Sequence, residues 1–497
     1  MKRILPASFY NPLTLFGSFI VFFNLGLIVF LLIVDLLAKR PKPYSDLIIL
    51  LVLPLFILIG VALIILGIVR QRRRQKLSAE EQGLLVIDFN DQKQRRRVIL
   101  LSMGFLFFTL LYAFGIHQGY EFVESDFFCT RVCHSVMGPQ DRAHAFSSHE
   151  EVGCSACHVG PGTKYFVLSK LTGTTELYSL LSDTFPRPIP APIKGLRPSR
   201  EICETCHGPK YALTETLQGR KYYLSDTENT EWEIGLLLKM GVVRVPTDRP
   251  PMMHWHYGVA KQIEYGTTDP KREVIPWVRA IGFDGKARIY RIKDGNASDK
   301  EPSPEQKRVM DCIDCHNRTG HGFHPADQIV NVLISKRLID PSLPGIKGVA
   351  VKVLEDTYAG QKEGFYAIGT TLSDLYQKKY PDIYSSKNEQ INQAITEIQN
   401  LYKLNYDPAM KVSWRNFPNN QGHMYSLGCF RCHDGNHVSN DGKVLSKDCS
   451  LCHILIKRQM EKEKSQAILT IDPYPHPVDI GDSYKETNCS DCHGASH

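Results

Sequence analysis

The chain has 497 residues, of which 43% are hydrophobic, and its formal net charge is +7. This length is enough for two or three domains. The 14 cysteines do not fit a disulfide framework, because twelve of them occur in C-x-x-C units that histidine follows directly. Nine of the 59 lysines and arginines cluster within residues 70–97, between two apolar segments, where they indicate membrane topology rather than contacts with nucleic acid.

Three apolar segments lie in the N-terminal quarter, at about residues 13–37, 47–69 and 98–116. Each is close to the roughly 20 residues that cross a bilayer as a helix. The first is too long for a signal-peptide core and has no small-residue cleavage site near its end, so we expect a retained anchor. The sequence predicts a transmembrane anchor over residues 1–116. The alternative for the last segment is a buried core helix.

Lysine and arginine predict how this anchor is oriented. Nine of them fall within residues 70–97, whereas only Lys39, Arg40 and Lys42 lie between the first two segments. Cytoplasmic loops carry an excess of lysine and arginine. We therefore expect residues 70–97 to be cytoplasmic, and three crossings would place the chain after about residue 117 on the outer side.

Six C-x-x-C-H units follow. Two thiols one short turn apart can bond the two vinyl groups of a porphyrin, and the next histidine can bind its iron, so this motif is typical of covalent c-type haem attachment. Zinc sites use C-x-x-C pairs without requiring that histidine. The cysteines are Cys154, Cys157, Cys203, Cys206, Cys312, Cys315, Cys429, Cys432, Cys449, Cys452, Cys489 and Cys492. The histidines are His158, His207, His316, His433, His453 and His493.

The stretch CTRVCHSVM, residues 129–137, has one residue too many for this motif. Cys129 and Cys133 are the two cysteines that remain, and His134 follows them. We therefore expect a seventh covalent haem on a stretched loop, giving seven c-type haems. Met137 is close enough to approach the same iron, where a methionine ligand would raise the reduction potential; the alternative is a packing residue. Covalent attachment occurs outside the energy-transducing membrane, which agrees with the predicted orientation.

The motifs divide the outer part into three regions. We predict a three-haem region at 117–207, a central region at 208–428 with one motif at 312–316, and a three-haem cluster at 429–497. Residues 272–283 and 286–292 have strand patterns, and residues 387–403 have helical spacing. The predicted fold is mainly α: three transmembrane helices, then a multihaem c-type cytochrome region with little regular structure and some short strands.

Six-coordinate haem iron needs a second axial ligand, and eleven histidines lie outside the motifs. We rank His117, at the membrane edge, and His497, the last residue, lowest. His254 and His256 lie two residues apart in an apolar, aromatic segment and could serve two different haems. The predicted distal ligands are His144, His149, His254, His256, His321, His324, His423, His437 and His476.

The apolar segment that ends before CTRVCHSVM, with HAFSSHEEVGCSACHVGPGTKYFVLSK after it, resembles the NapC/NirT family of membrane-anchored quinol dehydrogenase cytochromes over about residues 98–207. The segments MMHWH, DCIDCHNRTGH and GCFRCHDGNH are similar to a seven-haem inner-membrane group of metal-respiring bacteria. This resemblance implies a quinol site at the outer membrane surface beside the first haem, with a methionine ligand after the first motif.

The resemblance also implies site residues. Met137, Lys164 and Lys170 are candidates for the quinol site, where lysine and acidic residues help to take the quinol protons. Glu176 and Asp183 do not match the acidic position cleanly. If Met137 binds the first iron, His134 need not, and the stretched loop would displace His134.

The expected protein is a multi-pass inner-membrane cytochrome c with its haem region in the periplasm. It would act as a quinol dehydrogenase in anaerobic or extracellular respiration. Its partners would be the menaquinol pool, periplasmic c-type cytochromes and the membrane, with no nucleic acid. Two alternatives stay open: a multihaem terminal reductase of a small nitrogen or sulfur oxyanion, which usually has a C-x-x-C-K site, and a non-catalytic membrane-anchored electron store.

Overall fold

The computed structural model describes residues 11–37, 53–77, 90–133, 135–160, 162–192, 198–207, 215–241, 253–258, 262–282, 285–293, 301–460, 466–467, 474 and 476–494. His134 and His497 lie outside these residues. The chain divides into two compact units. The N-terminal unit comprises Met1–Cys133 and Cys154–Leu177, and the C-terminal unit comprises His134–Gly153 and Tyr178–His497.

The elements of the described residues are as follows. The α-helices are α1 Pro12–Leu37, α2 Leu53–Leu77, α3 Gln92–Glu124, α4 Gly138–His144, α5 Cys154–His158, α6 Thr163–Leu181, α7 Ser199–Cys203, α8 Trp255–Gly258, α9 Cys312–Cys315, α10 Ala326–Ser335, α11 Ile346–Glu355, α12 Gln361–Lys379, α13 Pro381–Ser386, α14 Asn388–Asn405, α15 Ser483–Glu486 and α16 Cys489–His493. The strands are β1 Thr216–Tyr223, β2 Glu231–Leu238, β3 Gln262–Gly266, β4 Trp277–Ile281, β5 Ala287–Ile292, β6 Lys307–Val309, β7 His437–Ser439, β8 His453–Met460 and β9 Gln466–Ala467.

Helices α1 and α2 pack against each other in the N-terminal unit. Their stretches Pro12–Val29 and Leu53–Arg73 have mean hydropathies of 2.0 and 2.6 and are long and apolar enough to cross a membrane. A Cβ atom on Gly17 would lie 2.6 Å from the carbonyl oxygen of Gly60. The two backbones therefore approach at small residues, as is common between membrane helices.

The prediction of three transmembrane helices is wrong. Within the described residues, the segments that qualify as candidate spans are those of α1 and α2, and α3 is not among them. Helix α3 is one continuous helix of 33 residues. It begins with the polar, basic run QKQRRR and ends with HQGYEFVE, so polar turns of the same helix enclose the apolar segment 98–116. The orientation inferred from the basic loop loses its basis, because it required a third crossing.

The end of α3 packs against the first part of α6 within the N-terminal unit. The rings of Tyr120 and Phe166 stack with their centroids 5.1 Å apart. One turn further along each helix, the Lys170 ammonium lies 2.9 Å from the Glu124 carboxylate. An aromatic contact and an ion pair therefore fix α6 beside the segment that leads into the first cysteine motif.

Two antiparallel sheets lie in the C-terminal unit, so the prediction of little regular structure is also wrong. The first sheet has the order β1-β2-β8-β9, and the second has the order β6-β3-β4-β5-β7. Strand β8 begins at His453, the histidine of the sixth motif, and pairs with β2, more than 200 residues earlier in the chain. The two segments with a strand pattern contain β4 and β5, which pair with each other.

Helices α10 to α14 form a helical module over residues 326–405. It has an extensive apolar core in which Val330, Ile334, Ile368, Leu372 and Ile398 are fully buried. Helix α14 covers the segment 387–403, where apolar residues recur at helical spacing. Their common face is buried, as an amphipathic helix requires.

Candidate haem-binding sites

The first cysteine motif lies in a π-helix, Phe128–Cys133. The Cys129 amide donates to the Ser125 carbonyl, and the Thr130 hydroxyl donates to the Asp126 carbonyl. A π-helix has a wider turn than an α-helix, because its hydrogen bonds join residues five apart. Cys129 and Cys133, which are four residues apart, therefore lie within about one turn of it. The wider turn accommodates the extra residue of C-x-x-x-C.

The second motif lies beside the first in the N-terminal unit. Its five residues, CSACH, form the short helix α5. The Cys154 amide donates to the Asp126 carboxylate at 2.7 Å. Burial, together with a hydrogen bond to Asp126, raises the pKa of the Cys154 thiol to about 12. Asp126, which precedes the π-helix, thus links the two motifs.

The later motifs form single tight turns. In the third, fourth and fifth motifs, the histidine amide donates to the carbonyl of the first cysteine, at 2.8 Å for His207, 2.8 Å for His316 and 3.0 Å for His433. This bond brings both cysteines and the histidine onto one turn. Capping boxes fix the starts of α9 and α16, in the fourth and seventh motifs. One turn with two thiols and an imidazole is the arrangement that covalent haem attachment requires.

Five motif histidines each face a histidine from outside the motifs. The separations between ring centroids are 5.9 Å for His149–His207, 6.2 Å for His254–His316, 5.8 Å for His256–His433, 6.1 Å for His423–His453 and 6.1 Å for His476–His493. Two imidazoles on opposite sides of one metal ion, at a metal–nitrogen distance of about 2 Å, have ring centres roughly 6 Å apart. The described residues therefore fit a six-coordinate haem iron within each pair.

Hydrogen bonds orient several of these imidazoles. Nδ1 faces a backbone carbonyl oxygen in His256 (Met253, 3.0 Å) and in His433 (Ser446, 3.2 Å). Nδ1 of His254 likewise faces the Met240 carbonyl. A carbonyl only accepts, so Nδ1 carries the hydrogen and Nε2 keeps its lone pair. This is the usual way in which an outer hydrogen bond prepares a histidine for a metal.

Burial also favours the neutral form of five of the paired imidazoles. It lowers the pKa of His433 and of His453 to about 4, and it lowers the pKa of His256, His316 and His423. Only the neutral imidazole can bind a metal ion. These sites therefore present their ligands in the form that iron requires.

Two predicted distal ligands have both ring nitrogens directed at protein oxygens. His144 faces the carbonyls of Gly320 (2.8 Å) and Val152 (3.0 Å). His437, which is fully buried, faces the Asp434 carboxylate at 2.9 Å and the Ile275 carbonyl at 2.7 Å. A ligand role for either histidine would require one of these bonds to break. For His321 and His324, and for the motif residue His158, ligation stays a prediction.

The predicted quinol-site residues lie in different surroundings. Met137 ends a 3-10 helix, Ser135–Met137, in the C-terminal unit, where it is half-buried. Lys164 is exposed at the start of α6. Lys170 forms the ion pair with Glu124, whose side chain is only 12% exposed. Asp183 pairs with Arg187 instead.

Sequence analysis missed Glu124 as an acidic partner of these lysines. Acidic residues were sought after the second motif, following the resemblance. Glu124 lies before the first motif, at the end of α3. Its position five residues before Cys129 was a usable signal.

The arrangement of cysteine turns and imidazole pairs is that of a c-type cytochrome, and sequence comparison agrees. The chain is 36% identical, over 491 residues, to the cytochrome c-type protein ImcH of Geobacter sulfurreducens. The alignment covers 98% of this chain and 96% of that protein. The chain belongs to the ImcH family of c-type cytochromes. No family model and no solved structure matches it. As a member of the ImcH family, it is a multihaem electron-transfer cytochrome that binds haem covalently.

Proposed function

We propose that the protein oxidises menaquinol at the outer face of the inner membrane and delivers the electrons to periplasmic c-type cytochromes. The observation that carries this proposal is the set of five imidazole pairs, with ring centroids 5.8–6.2 Å apart. A c-type haem, when bound, supplies one-electron transfer at its iron. Fourteen cysteines in seven motifs support seven such haems.

The pairs favour an electron conduit over a terminal reductase. A reductase of a small oxyanion needs an open axial position for its substrate. Each of the five pairs instead places an imidazole on both sides of the site, which leaves no such position in the third to seventh motifs. Electron transfer without substrate binding is the chemistry that these residues favour.

Two features support membrane anchoring and a haem region on the outer side of the membrane. Helices α1 and α2 are apolar and long enough to anchor the chain. Covalent haem attachment takes place outside the energy-transducing membrane, so the haem region lies in the periplasm. This placement rests on the chemistry of attachment and does not depend on the number of spans.

The quinol end of the proposal rests on Glu124 and Lys170. Oxidation of a quinol releases two protons with its two electrons, so the site needs a proton acceptor. The Glu124 carboxylate is nearly buried, lies close to the first motif in sequence, and is balanced by the Lys170 ammonium at 2.9 Å. We assign Glu124 as a proton acceptor and Lys170 as its partner. Lys164, and Met137 as a ligand of the first iron, stay predictions.

Reduction of the anaerobic holoprotein by a menaquinol analogue, followed by haem absorbance, tests this function. We expect rapid reduction of the natural protein and slow reduction of Glu124→Gln, because the amide cannot accept the proton. The matched control is Glu389→Gln, an exposed residue of α14, which should behave like the natural protein.

Dithionite provides the reference, since it should reduce every haem in all three proteins. If the analogue reduces none of them while dithionite does, quinol is not the donor and the proposal fails. If Glu124→Gln is reduced as fast as the natural protein, the quinol site lies elsewhere, as the electron-store alternative would allow. Turnover of nitrite, hydroxylamine or sulfite would instead favour a reductase.

A further inference from the structure

The five imidazole pairs belong to consecutive motifs, the third to the seventh, all in the C-terminal unit. Electron transfer between two cofactors falls steeply with the distance between them. Contacts between the attachment turns therefore determine which haems exchange electrons directly. Such contacts are found for every consecutive pair of these five motifs.

The third and fourth motifs are joined by direct contacts. The Asp311 carboxylate, which caps α9, accepts the amide of Ser199 at 2.8 Å, at the start of α7. The Ser199 hydroxyl accepts the Ile313 amide in return, at 3.5 Å. The two attachment turns thus lie against each other.

The fourth and fifth motifs share a segment and a hydrogen bond. His254 faces His316 of the fourth motif, and His256 faces His433 of the fifth. A single residue, Trp255, separates these two histidines. Arg431, inside the fifth motif, also donates to the carbonyl of Asp314, inside the fourth, at 2.5 Å.

The fifth and sixth motifs are joined through the loop between them. The Gly435 amide donates to the Leu445 carbonyl at 3.1 Å, which folds the chain back on itself. The next residue, Ser446, then presents its carbonyl to Nδ1 of His433. Its hydroxyl accepts the amide of Asp448 at 3.0 Å, and Asp448 caps the turn of the sixth motif.

The sixth and seventh motifs share a second segment. His423 faces His453 of the sixth motif. Two residues later, the Tyr425 ring meets the His493 ring edge to face, with centroids 6.3 Å apart. A Cβ atom on Gly494 would lie 2.8 Å from the Tyr425 carbonyl oxygen. The segment His423-Met424-Tyr425 therefore touches the turns of both motifs.

We propose that the haems of the third to seventh motifs form one row in the order of their motifs along the chain. The segments His254-Trp255-His256 and His423-Met424-Tyr425 act as its bridges. Each contact above joins consecutive motifs, so a haem within the row exchanges electrons with the haems of the motifs before and after it. The inference deepens the proposed function, because it gives the conduit an internal order.

Electron cryo-microscopy of the holoprotein, supported by EPR of the oxidised protein, tests the row. The iron positions should follow the order of the third to seventh motifs, with His254 on the fourth iron and His256 on the fifth. His254→Ala and His256→Ala should each convert one low-spin ferric haem signal into a high-spin signal. The matched control is His144→Gln, which should keep the low-spin signals, because both nitrogens of His144 already face carbonyls.

A second measurement follows electron transfer through the row. Transfer from the menaquinol analogue to an added soluble cytochrome c should be largely lost in His254→Ala, because this variant removes a proposed ligand of the fourth iron and so interrupts the row. Irons in another order, or low-spin signals unchanged in both alanine variants, would overturn the row. The order of the irons and the EPR signals do not depend on quinol. The row can therefore be confirmed even if the quinol experiment fails, and it can be overturned even if that experiment succeeds.

Discussion

The helical module and the haem-bearing turns of the C-terminal unit are stabilised in different ways. In the module, apolar side chains such as Ile368 and Ile398 are fully buried between regular helices. The attachment turns are three to five residues long, and polar bonds hold them, such as those of Asp311 with Ser199. Short helices contribute little stability by themselves. The apolar clusters beside these turns are smaller, such as that of Ile263, Tyr265 and Val278. We therefore expect bound haem to add apolar contacts of the kind that the module makes from its own side chains.

The largest expected effect is that of withholding haem. The chain produced in the cytoplasm, without covalent haem, should lose its structure around the attachment turns, because cofactor binding and folding are coupled there. Limited proteolysis should then degrade most of the C-terminal unit but leave a resistant fragment over about residues 326–405. Uniform digestion, or uniform resistance, would contradict the difference between the two regions.

A smaller effect should follow from one carboxylate in the haem-bearing region. Asp314, in the fourth motif, is 3% exposed and accepts from Tyr265 at 2.7 Å, Arg308 at 3.1 Å and Arg272 at 3.3 Å. Asp314→Ala should lower the free energy of unfolding by about 1–3 kcal/mol, because it leaves the Tyr265 hydroxyl and the partly exposed guanidinium groups of Arg272 and Arg308 without their acceptor.

Guanidinium unfolding, followed by haem absorbance, measures this loss. The control is Asp374→Ala, which breaks a surface pair with Lys378 and should cost under about 0.5 kcal/mol. Equal effects of the two substitutions would mean that the buried network adds nothing to the haem region.

The smallest effect concerns the pH dependence of the helical module. Burial raises the pKa of Asp327, but the ion pair with buried Lys347 at 2.6 Å and the Tyr425 hydroxyl at 2.7 Å outweigh it, so the pKa is lowered. The pKa of an aspartate in the unfolded chain is about 3.9. A carboxyl whose pKa is lower in the folded state stabilises that state at pH values above about 3.9, and the stabilisation is lost as the pH falls through the folded-state pKa.

Asp327→Asn should therefore reduce the melting temperature at neutral pH and flatten its decline below about pH 4. Far-UV circular dichroism of the holoprotein measures both quantities. Asp374→Asn is the control and should keep the natural pH profile. A natural profile in Asp327→Asn would show that the Lys347 pair does not stabilise the module.

The turns of the cysteine motifs could be predicted from sequence because their geometry is local. Cys429, Cys432 and His433 lie on one turn wherever that turn is placed. Helix α14 could be predicted for a similar reason, since its period is a property of a single segment. The partner of each motif histidine could not be predicted, because the pairing depends on tertiary structure. His144 and His437 are as close to motifs in sequence as the histidines that face a motif histidine, yet both face protein oxygens.

Other errors have the same physical origin. The third span was inferred from the length and composition of an apolar run alone, and α3 is not among the candidate spans of the described residues. Strand β8 pairs with β2 across more than 200 residues, and no periodicity specifies a partner at that distance. Glu124 was missed because a family pattern directed attention to the wrong side of the motif.

The position of the helical module along the chain has a consequence for biogenesis. The module lies between the fourth and fifth motifs, so it is synthesised before the last three cysteine turns. A chain exported from its N-terminus can fold such a segment while the rest is still emerging. Haem addition to the last three motifs would then act on a chain whose middle is already folded. The fourth and fifth motifs must come together across this folded segment, because Arg431 of the fifth donates to the Asp314 carbonyl of the fourth.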